Sequence, residues 1–337
     1  MKRGSSEYSL VVGVDKPYGM SSHDVVDRVR GIFGERRVGH AGTLDPAATG
    51  VLPVLVGPAT RLDAFLTGHD KRYRARFAFG AATDTDDAEG RIVRTGAVPA
   101  RLLDEAYASA FVAGLVGAHR QMPPAYSAVK VGGKKSYEQA RAGVVIDMTP
   151  RDIEVHEARL RGVQEDESSG YAVWDVELRV SKGTYIRALA RDAGVELGCP
   201  AHLAGLRRTA VGAMSFEDCV GLETLAEVKD RAASDPVALL GCRFASVDEG
   251  AVARVRNGAA LDAGDLELCE RRRAAAAVEL CCCTAGVVSS CEPPKDGELV
   301  ALVADDRLCA LYEYDEGRAC YRARCVFQTG VSRGRDI

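Results

Sequence analysis

The 337-residue chain has no run of apolar residues as long as the ~18 that a membrane-spanning helix requires. Its first residues, MKRGSSEYSLVVGVDKP, hold only a short apolar stretch broken by Gly13 and Asp15. That makes a poor export signal and reads better as a first strand. No cysteine precedes Cys199, although 11 occur in all. An odd, unevenly spaced set makes no disulfide framework, and without an export signal it points to a reducing cytoplasm. Cys281, Cys282, Cys283 and Cys291 are crowded rather than set in the paired spacing of zinc sites, so no metal is expected. Overall positive charge is also lacking. The net charge of −4 gives no general attraction for nucleic acid, but local placement matters more than the total. No internal repeat is evident.

What is present describes an ordinary folded chain, 47% hydrophobic and 27% charged, long enough for one large domain and a smaller one. Residues 9–15 read as a strand ending at the turn Lys16-Pro17-Tyr18-Gly19. Ser21 and Asp24 form a capping-box pattern ahead of a helical stripe, Val25, Val26, Val29, Ile32 and Phe33. In 73–79 the residues alternate, with Tyr73, Ala75, Phe77 and Phe79 on one face and Arg74 and Arg76 on the other. Residues 102–116 read as a helix. Residues 171–180 read as a strand with Ala172, Trp174, Val176, Leu178 and Val180 inward. A turn at 181–184 follows, with Thr184 the expected N-cap of a helix whose apolar stripe is Ile186, Leu189, Ala190, Ala193 and Leu197. Arg187 lies off that stripe. Strands and helices come in mixed order without βαβ repetition, so the expected class is α+β. The composition shifts near residue 235. The remainder, 243–330, reads as a small β-rich module interrupted by a low-complexity insert near 271–297.

Two segments carry chemistry. The first is GHAGTLDPAATGVLPVLVGPAT, residues 39–60. It presents one acid, Asp45, among small residues, and Pro46 biases Asp45 away from helix. Taken alone, such a stretch also suits a surface turn. The second is 121–143, QMPPAYSAVKVGGKKSYEQARAG, with a Pro pair and a Gly pair. Across 120–141, five basic residues (Arg120, Lys130, Lys134, Lys135, Arg141) face a single acid, Glu138. Such a patch steers a phosphate backbone even on an acidic protein.

The pattern GHxGTLDPxAxGVLPVxxGxAT resembles the signature of the TruB family of pseudouridine synthases. SKGTYIRALARDAG, DKRYRARFAFG and the 121–143 segment resemble further motifs of that family, and together they span residues 9–235. The resemblance implies a catalytic domain over 1–235, built on a mixed, mostly antiparallel sheet flanked by helices. VARVRNGAALDAGD at 252–265 looks like the opening of a PUA-type RNA-binding module. By the same resemblance Asp45 is the catalytic carboxylate, as nucleophile on the base or as the base that starts a ribose-centred elimination. Arg187 pairs with it. Tyr73 lies against the target base. Tyr185 and Leu206 line the uridine pocket, and His40 helps hold the stem open around the extruded base. Lys130, Lys134 and Lys135 grip phosphates from the 121–143 loop, and Lys16 has a structural or phosphate-directed role beside the site. TDTDDAEG at 83–90 points to the branch that acts on uridine 55 in the T-arm of tRNA. The implied partner is the T-arm stem-loop, with a monomeric enzyme, no obligate protein partner and no cofactor.

Other readings keep a place beside this one. The same chemistry could act on another RNA with a guide complex, though no long basic tail or docking segment supports that. A non-catalytic RNA-binding protein would not need Asp45, Tyr73 and Arg187 together. A glycoside hydrolase needs two positioned acids, and no second acid stands out.

Overall fold

The computed structural model describes residues 6–124, 126, 130–131, 134–135, 148–271, 287–289 and 292–334. Most of the 121–143 loop, most of the 271–297 insert, and Cys281, Cys282, Cys283 and Cys291 lie outside these residues. Among the described residues no helix is long and apolar enough to cross a membrane.

The main strands are β1 (Leu10–Lys16), β2 (Val38–His40), β3 (Thr49–Val56), β4 (Lys71–Phe79), β5 (Gly117–Gln121), β6 (Arg151–Asp166), β7 (Tyr171–Val180) and β8 (Ala201–Val211). They belong to one eleven-stranded sheet among the described residues. Its order is Cys219–Val220, β1, β3, β8, β4, β7, β6, β5, with β2 beside β3. Most neighbours are antiparallel; β1 with Cys219–Val220 and β3 with β8 are parallel. The sheet is therefore mixed and mostly antiparallel, as expected, and the class is α+β.

Sequence pattern explains the local elements. The Ser22–Phe33 helix starts at Ser21, whose side chain and that of Asp24 cap each other's backbone N–H groups. It stops at Gly34, which takes the left-handed conformation, φ 62°. Its stripe Val25, Val26, Val29 and Phe33 is buried with β1 and β3 residues in one core cluster. The expected helix at 102–116 is split: a 3-10 turn at Ala100–Leu103, then a helix at Glu105–Gly114. Asp104 accepts from the Tyr107 N–H and restarts the chain as an N-cap. Thr184 is not the next N-cap. Tyr185 holds that place without a side-chain bond, and the Thr184 hydroxyl donates back to the Ser181 carbonyl.

Alternation in β4 and β7 separates the two faces of the sheet. On the inner face Trp174 is fully buried, stacked near Phe79 and Phe111, and its indole N–H donates to the Leu102 carbonyl at 2.7 Å. The Ile186–Leu197 helix closes this core with the expected stripe. On the outer face Arg72 and Arg74 are exposed and paired with Glu157 and Asp175.

The C-terminal module is a second sheet, of seven strands among the described residues. Its strands Leu299–Ala304, Arg307–Asp315 and Cys320–Ser332 form an antiparallel run, and the Glu249–Arg256 helix packs beside it. The module shares a hydrophobic cluster with the main sheet: Val51, Leu55 and Val211 meet Leu308, Phe327 and Val331. Arg333 also reaches back to the fully buried Asp235, at 2.8 Å, and the Ser332 N–H donates to the Ser9 carbonyl.

One position in the sheet tolerates only glycine. Gly50 has φ +102°, and a Cβ there would lie 2.1 Å from the Arg208 carbonyl oxygen across the parallel β3–β8 pair. Gly50→Ala is expected to destabilise the fold by about 3 kcal/mol, since neither backbone can move without breaking sheet bonds. Urea unfolding with an unchanged midpoint would contradict this account.

Candidate active site

Asp45 sits in a loop whose carbonyls are held from several sides. The loop turns tightly after Asp45, where the Ala48 N–H donates to the Asp45 carbonyl at 3.0 Å. The Ser22 hydroxyl brackets Leu44, accepting from its N–H at 2.8 Å and donating to its carbonyl at 3.0 Å. Pro46 O accepts from the Gly19 N–H and from the Lys16 ammonium. Arg208 donates to the carbonyls of Gly42, Thr43 and Val51, on both sides of the acid. Gly42 has φ +100°, which explains the glycine ahead of Asp45.

Arg187 is buried and bonded on every side. Its Nε lies 3.0 Å from Asp45 Oδ2. Nη1 donates to the Thr85 carbonyl at 3.1 Å and stands 3.4 Å from Asp87 Oδ2. Nη2 donates to the Tyr126 carbonyl at 2.8 Å. The planar fork can serve these acceptors at once, which an ammonium could not. Burial and the neighbouring charges of Asp87 and Glu89 raise the Asp45 pKa, while Arg187 and Lys16 oppose the rise; burial is the largest influence.

The two side chains open into a cavity of about 660 Å³. Asp45, Asp87 and Glu89 line it with Tyr18, while Arg74, Arg76 and Arg207 also line it, with Leu206 between Gly205 and Arg207 on β8. The 83–90 turn is fastened there by the bridge of Asp87 to Leu203 and by Asp87 Oδ1, which accepts from the Thr85 hydroxyl and the Glu89 N–H.

The structure thus brings together Asp45, Arg187 and Leu206. The other expected residues stand further off. Tyr73 is only 8% exposed, belongs to the same core cluster as Leu44 and Ala48, and does not line the cavity. Its place on the inner face of β4 follows from the alternation that buries Ala75 and Phe77. Tyr185 begins the Arg187 helix and is half-buried. Its backbone is clamped by the Gln121 amide, which accepts from its N–H at 2.9 Å and donates to its carbonyl at 3.0 Å. His40 lies on β2, half-buried, with burial lowering its pKa, and its Nδ1 has no hydrogen-bond partner.

Lys16 requires a correction as a phosphate contact. It is fully buried, and its ammonium donates to the carbonyls of Pro17, Met20 and Pro46, so its work is to brace the loop. Burial pulls its pKa down to about 8, although the attraction of Asp45 opposes this. Lys130 and Lys135 pair across a two-stranded ribbon that also contains Lys134. The expected phosphate contacts of these three side chains lie outside what the structure describes.

Sequence reasoning missed four participants. Asp87 and Glu89 are the acids that seemed absent beside Asp45. Their signal was the acid cluster of TDTDDAEG, but nothing local says which acid turns inward. Asp87 is bound to Arg187, Thr85 and the backbone, so it holds the site rather than acting as a free acid. Gln121 lay inside the quoted segment QMPPAYS, and Arg208 lies two residues after Leu206. Their buried hydrogen bonds depend on contacts far along the chain.

Comparison with known proteins identifies the family and the fold. The family model described as TruB family pseudouridylate synthase (N terminal domain) matches residues 30–186, and that of the tRNA pseudouridylate synthase B C-terminal domain matches 187–242. A tRNA pseudouridine synthase B of Mycolicibacterium paratuberculosis is 44% identical, over 88% of this chain and 93% of its own length. One of Thermobifida fusca is 50% identical, over 64% of this chain and 74% of its own. Among solved structures, a chain of the archaeal box H/ACA sRNP Nop10–Cbf5 complex superposes with a TM-score of 0.62 at 23% identity. It covers 96% of this chain and 88% of that one, a likeness of fold. The chain belongs to the TruB family of pseudouridylate synthases, which are isomerases.

Proposed function

We propose that this protein converts uridine 55 in the T-arm of tRNA to pseudouridine, with Asp45 as the catalytic carboxylate, acting in the cytoplasm as a monomer without a protein partner or cofactor. The observation that carries the reading is the Asp45–Arg187 pair opening into a cavity, in the loop whose sequence matches the family. The names of the curated relatives, tRNA pseudouridine synthase B, support tRNA as the substrate.

The reaction breaks the bond from ribose C1′ to uracil N1 and forms one from C1′ to C5. The C5 proton is lost, N1 gains one, and the product is an isomer. The target base must first leave its stack, at a cost of a few kcal/mol that contacts in the cavity offset. Asp45 serves either as nucleophile or as the base that starts elimination at the ribose, and both need it ionised. Arg187 favours the ionised form and aims its Oδ2. Leu206 supplies an apolar contact on the cavity wall. A part for Tyr73 against the base requires the floor beside Ala48 to yield when RNA enters. His40 and Tyr185 act beside the cavity, and Lys130, Lys134 and Lys135 meet the phosphates.

Asp45→Asn is expected to abolish product while RNA affinity stays near wild type. Carbodiimide labelling with primer extension on a T-arm stem-loop, beside a filter-binding titration, reads both; parallel loss of the two would remove Asp45 from the chemistry. Arg187→Lys should lower kcat about a hundredfold, because a point charge cannot hold Asp45, Asp87 and two carbonyls in place. An unchanged kcat would refute the assignment of Arg187. The pH profile supplies a third check. Activity needs ionised Asp45, whose pKa lies above the usual carboxylate value, so turnover should fall as pH drops through that raised value. An acid limb at or below the usual value would contradict it.

A further inference from the structure

Charges of both signs line the cavity. Arg74, Arg76 and Arg207 lie along it together with Asp175, and Arg187 lies beside Asp45 and Asp87. Arg74 is paired with Asp175 and Arg207 with Asp15, whereas Arg76 makes no salt bridge among the described residues. Of the acids that line this cavity, Asp45, Asp87 and Asp175 are paired with arginines, whereas Glu89 makes no salt bridge among the described residues. At the cavity's rim stands Tyr18, from the turn between β1 and the Ser22–Phe33 helix. Its side chain is 66% exposed, unusual for so large an apolar surface, and its hydroxyl donates to Glu89 Oε1 at 3.1 Å. Gly19, next in the chain, is hydrogen-bonded to Pro46, so the turn is seated directly on the Asp45 loop. Among the described residues, Glu89 Oε2 accepts no hydrogen bond.

An RNA strand offers this cavity two kinds of group, phosphates and base edges. Glu89 repels phosphate and leaves that to the arginines. A base edge carrying N–H donors suits it, because a carboxylate only accepts. An exposed phenol ring supplies a stacking surface for the same base. The cavity is larger than a single uridine fills, and lies in the size range of sites for whole drug-sized ligands.

We propose that Tyr18 and Glu89 form a reading pair for a nucleobase adjacent to the reacting uridine, with Tyr18 stacking on the ring and Glu89 Oε2 accepting from its exocyclic amino group. This rests on the proposed action on RNA and adds a specificity element to it. Cytidine meets the requirement through its amino group; uridine presents a carbonyl oxygen at the same place and is repelled. The hydrogen bond between Tyr18 and Glu89 fixes the angle between stacking face and acceptor, so the two act as one unit.

The test uses the full chain and T-arm stem-loops in which each neighbour of the target uridine is, in turn, cytidine or uridine. Kd and single-turnover rate are both measured. Wild type is expected to favour cytidine about tenfold at one of the two neighbours, the size of one charge-assisted hydrogen bond. Glu89→Gln should erase that preference, since an amide meets either base. It should also move the acid limb of the rate profile downward, because one negative charge near Asp45 is gone. Tyr18→Ala should raise Kd about tenfold with little change in the single-turnover rate, while Tyr18→Phe keeps the stacking but should weaken the cytidine preference, because the bond that sets Glu89 is gone. Circular dichroism confirms that each variant is folded. Turnover without any preference at either neighbour, a preference that survives Glu89→Gln, or wild-type affinity in Tyr18→Ala would each overturn the reading pair. Preference in Kd without pseudouridine formation would instead leave the pair standing and sink the substrate assignment. Neither preference nor product would sink both.

Discussion

Two ionised carboxylates repel each other at close range unless a cation lies between them, and Arg187 is that cation for Asp45 and Asp87. Its guanidinium joins four segments distant in the chain: the Asp45 loop, the 83–90 turn through Thr85 and Asp87, the backbone at Tyr126, and its own helix. Removing any one acceptor would leave an N–H buried without a partner, which costs more than the bond itself contributes. The site is therefore held by mutual need. Asp45 stays charged because of Arg187, and Arg187 can be buried because of Asp45 and Asp87.

Beneath this pair lies a second layer of buried cations that carboxylates do not neutralise. Lys16, Lys71 and Arg208 all donate to backbone carbonyls rather than to acids among the described residues. Carbonyls satisfy hydrogen bonds but cancel no charge, and burial pulls the two lysines down to about 8 as a result. Lys16 and Arg208 hold the loop in shape from below, and Lys16 joins Arg187 in opposing the charges of Asp87 and Glu89 at Asp45.

Much of the scaffold was legible because it is local. The capping pair Ser21 and Asp24, the alternation of β4 and β7, and the stripe from Ile186 to Leu197 each express a period that neighbouring residues carry by themselves. The split near residue 104 was missed because a single side-chain cap outweighed an apolar run. Asp45, Arg187 and Leu206 were legible through long motifs, and they do meet at one cavity. Lys16 was left between a structural and a phosphate-directed role, and only the packing of the Pro46 loop over it favours the structural one. Tyr73 shows the limit of reading by position, since the strand's own pleat turns it toward the core in this arrangement. Asp87 and Gln121 could not be chosen from their segments, because their partners, Arg187 and Tyr185, lie far along the chain.

The order of strands in the main sheet differs from their order in the chain, and this has a consequence for how the protein is made. β8 lies between β3 and β4 but leaves the ribosome after both, and after β6 and β7 as well. Until residue 211 has emerged, the sheet exists as two halves, with one edge of β4 and the Thr49–Gly50 end of β3 lacking the strand that joins them. Pairing between strands so far apart comes late, because the entropy of closing the chain must be met first. Unpaired edges are where partly made chains stick to one another. β8 also carries Leu206 to the cavity wall and Arg208 beneath the loop, so the strand that closes the sheet is the one that completes the cavity. The Asp45–Arg187 pair lies in chain made before β8, but the cavity wall beside it is complete only once that strand is in place.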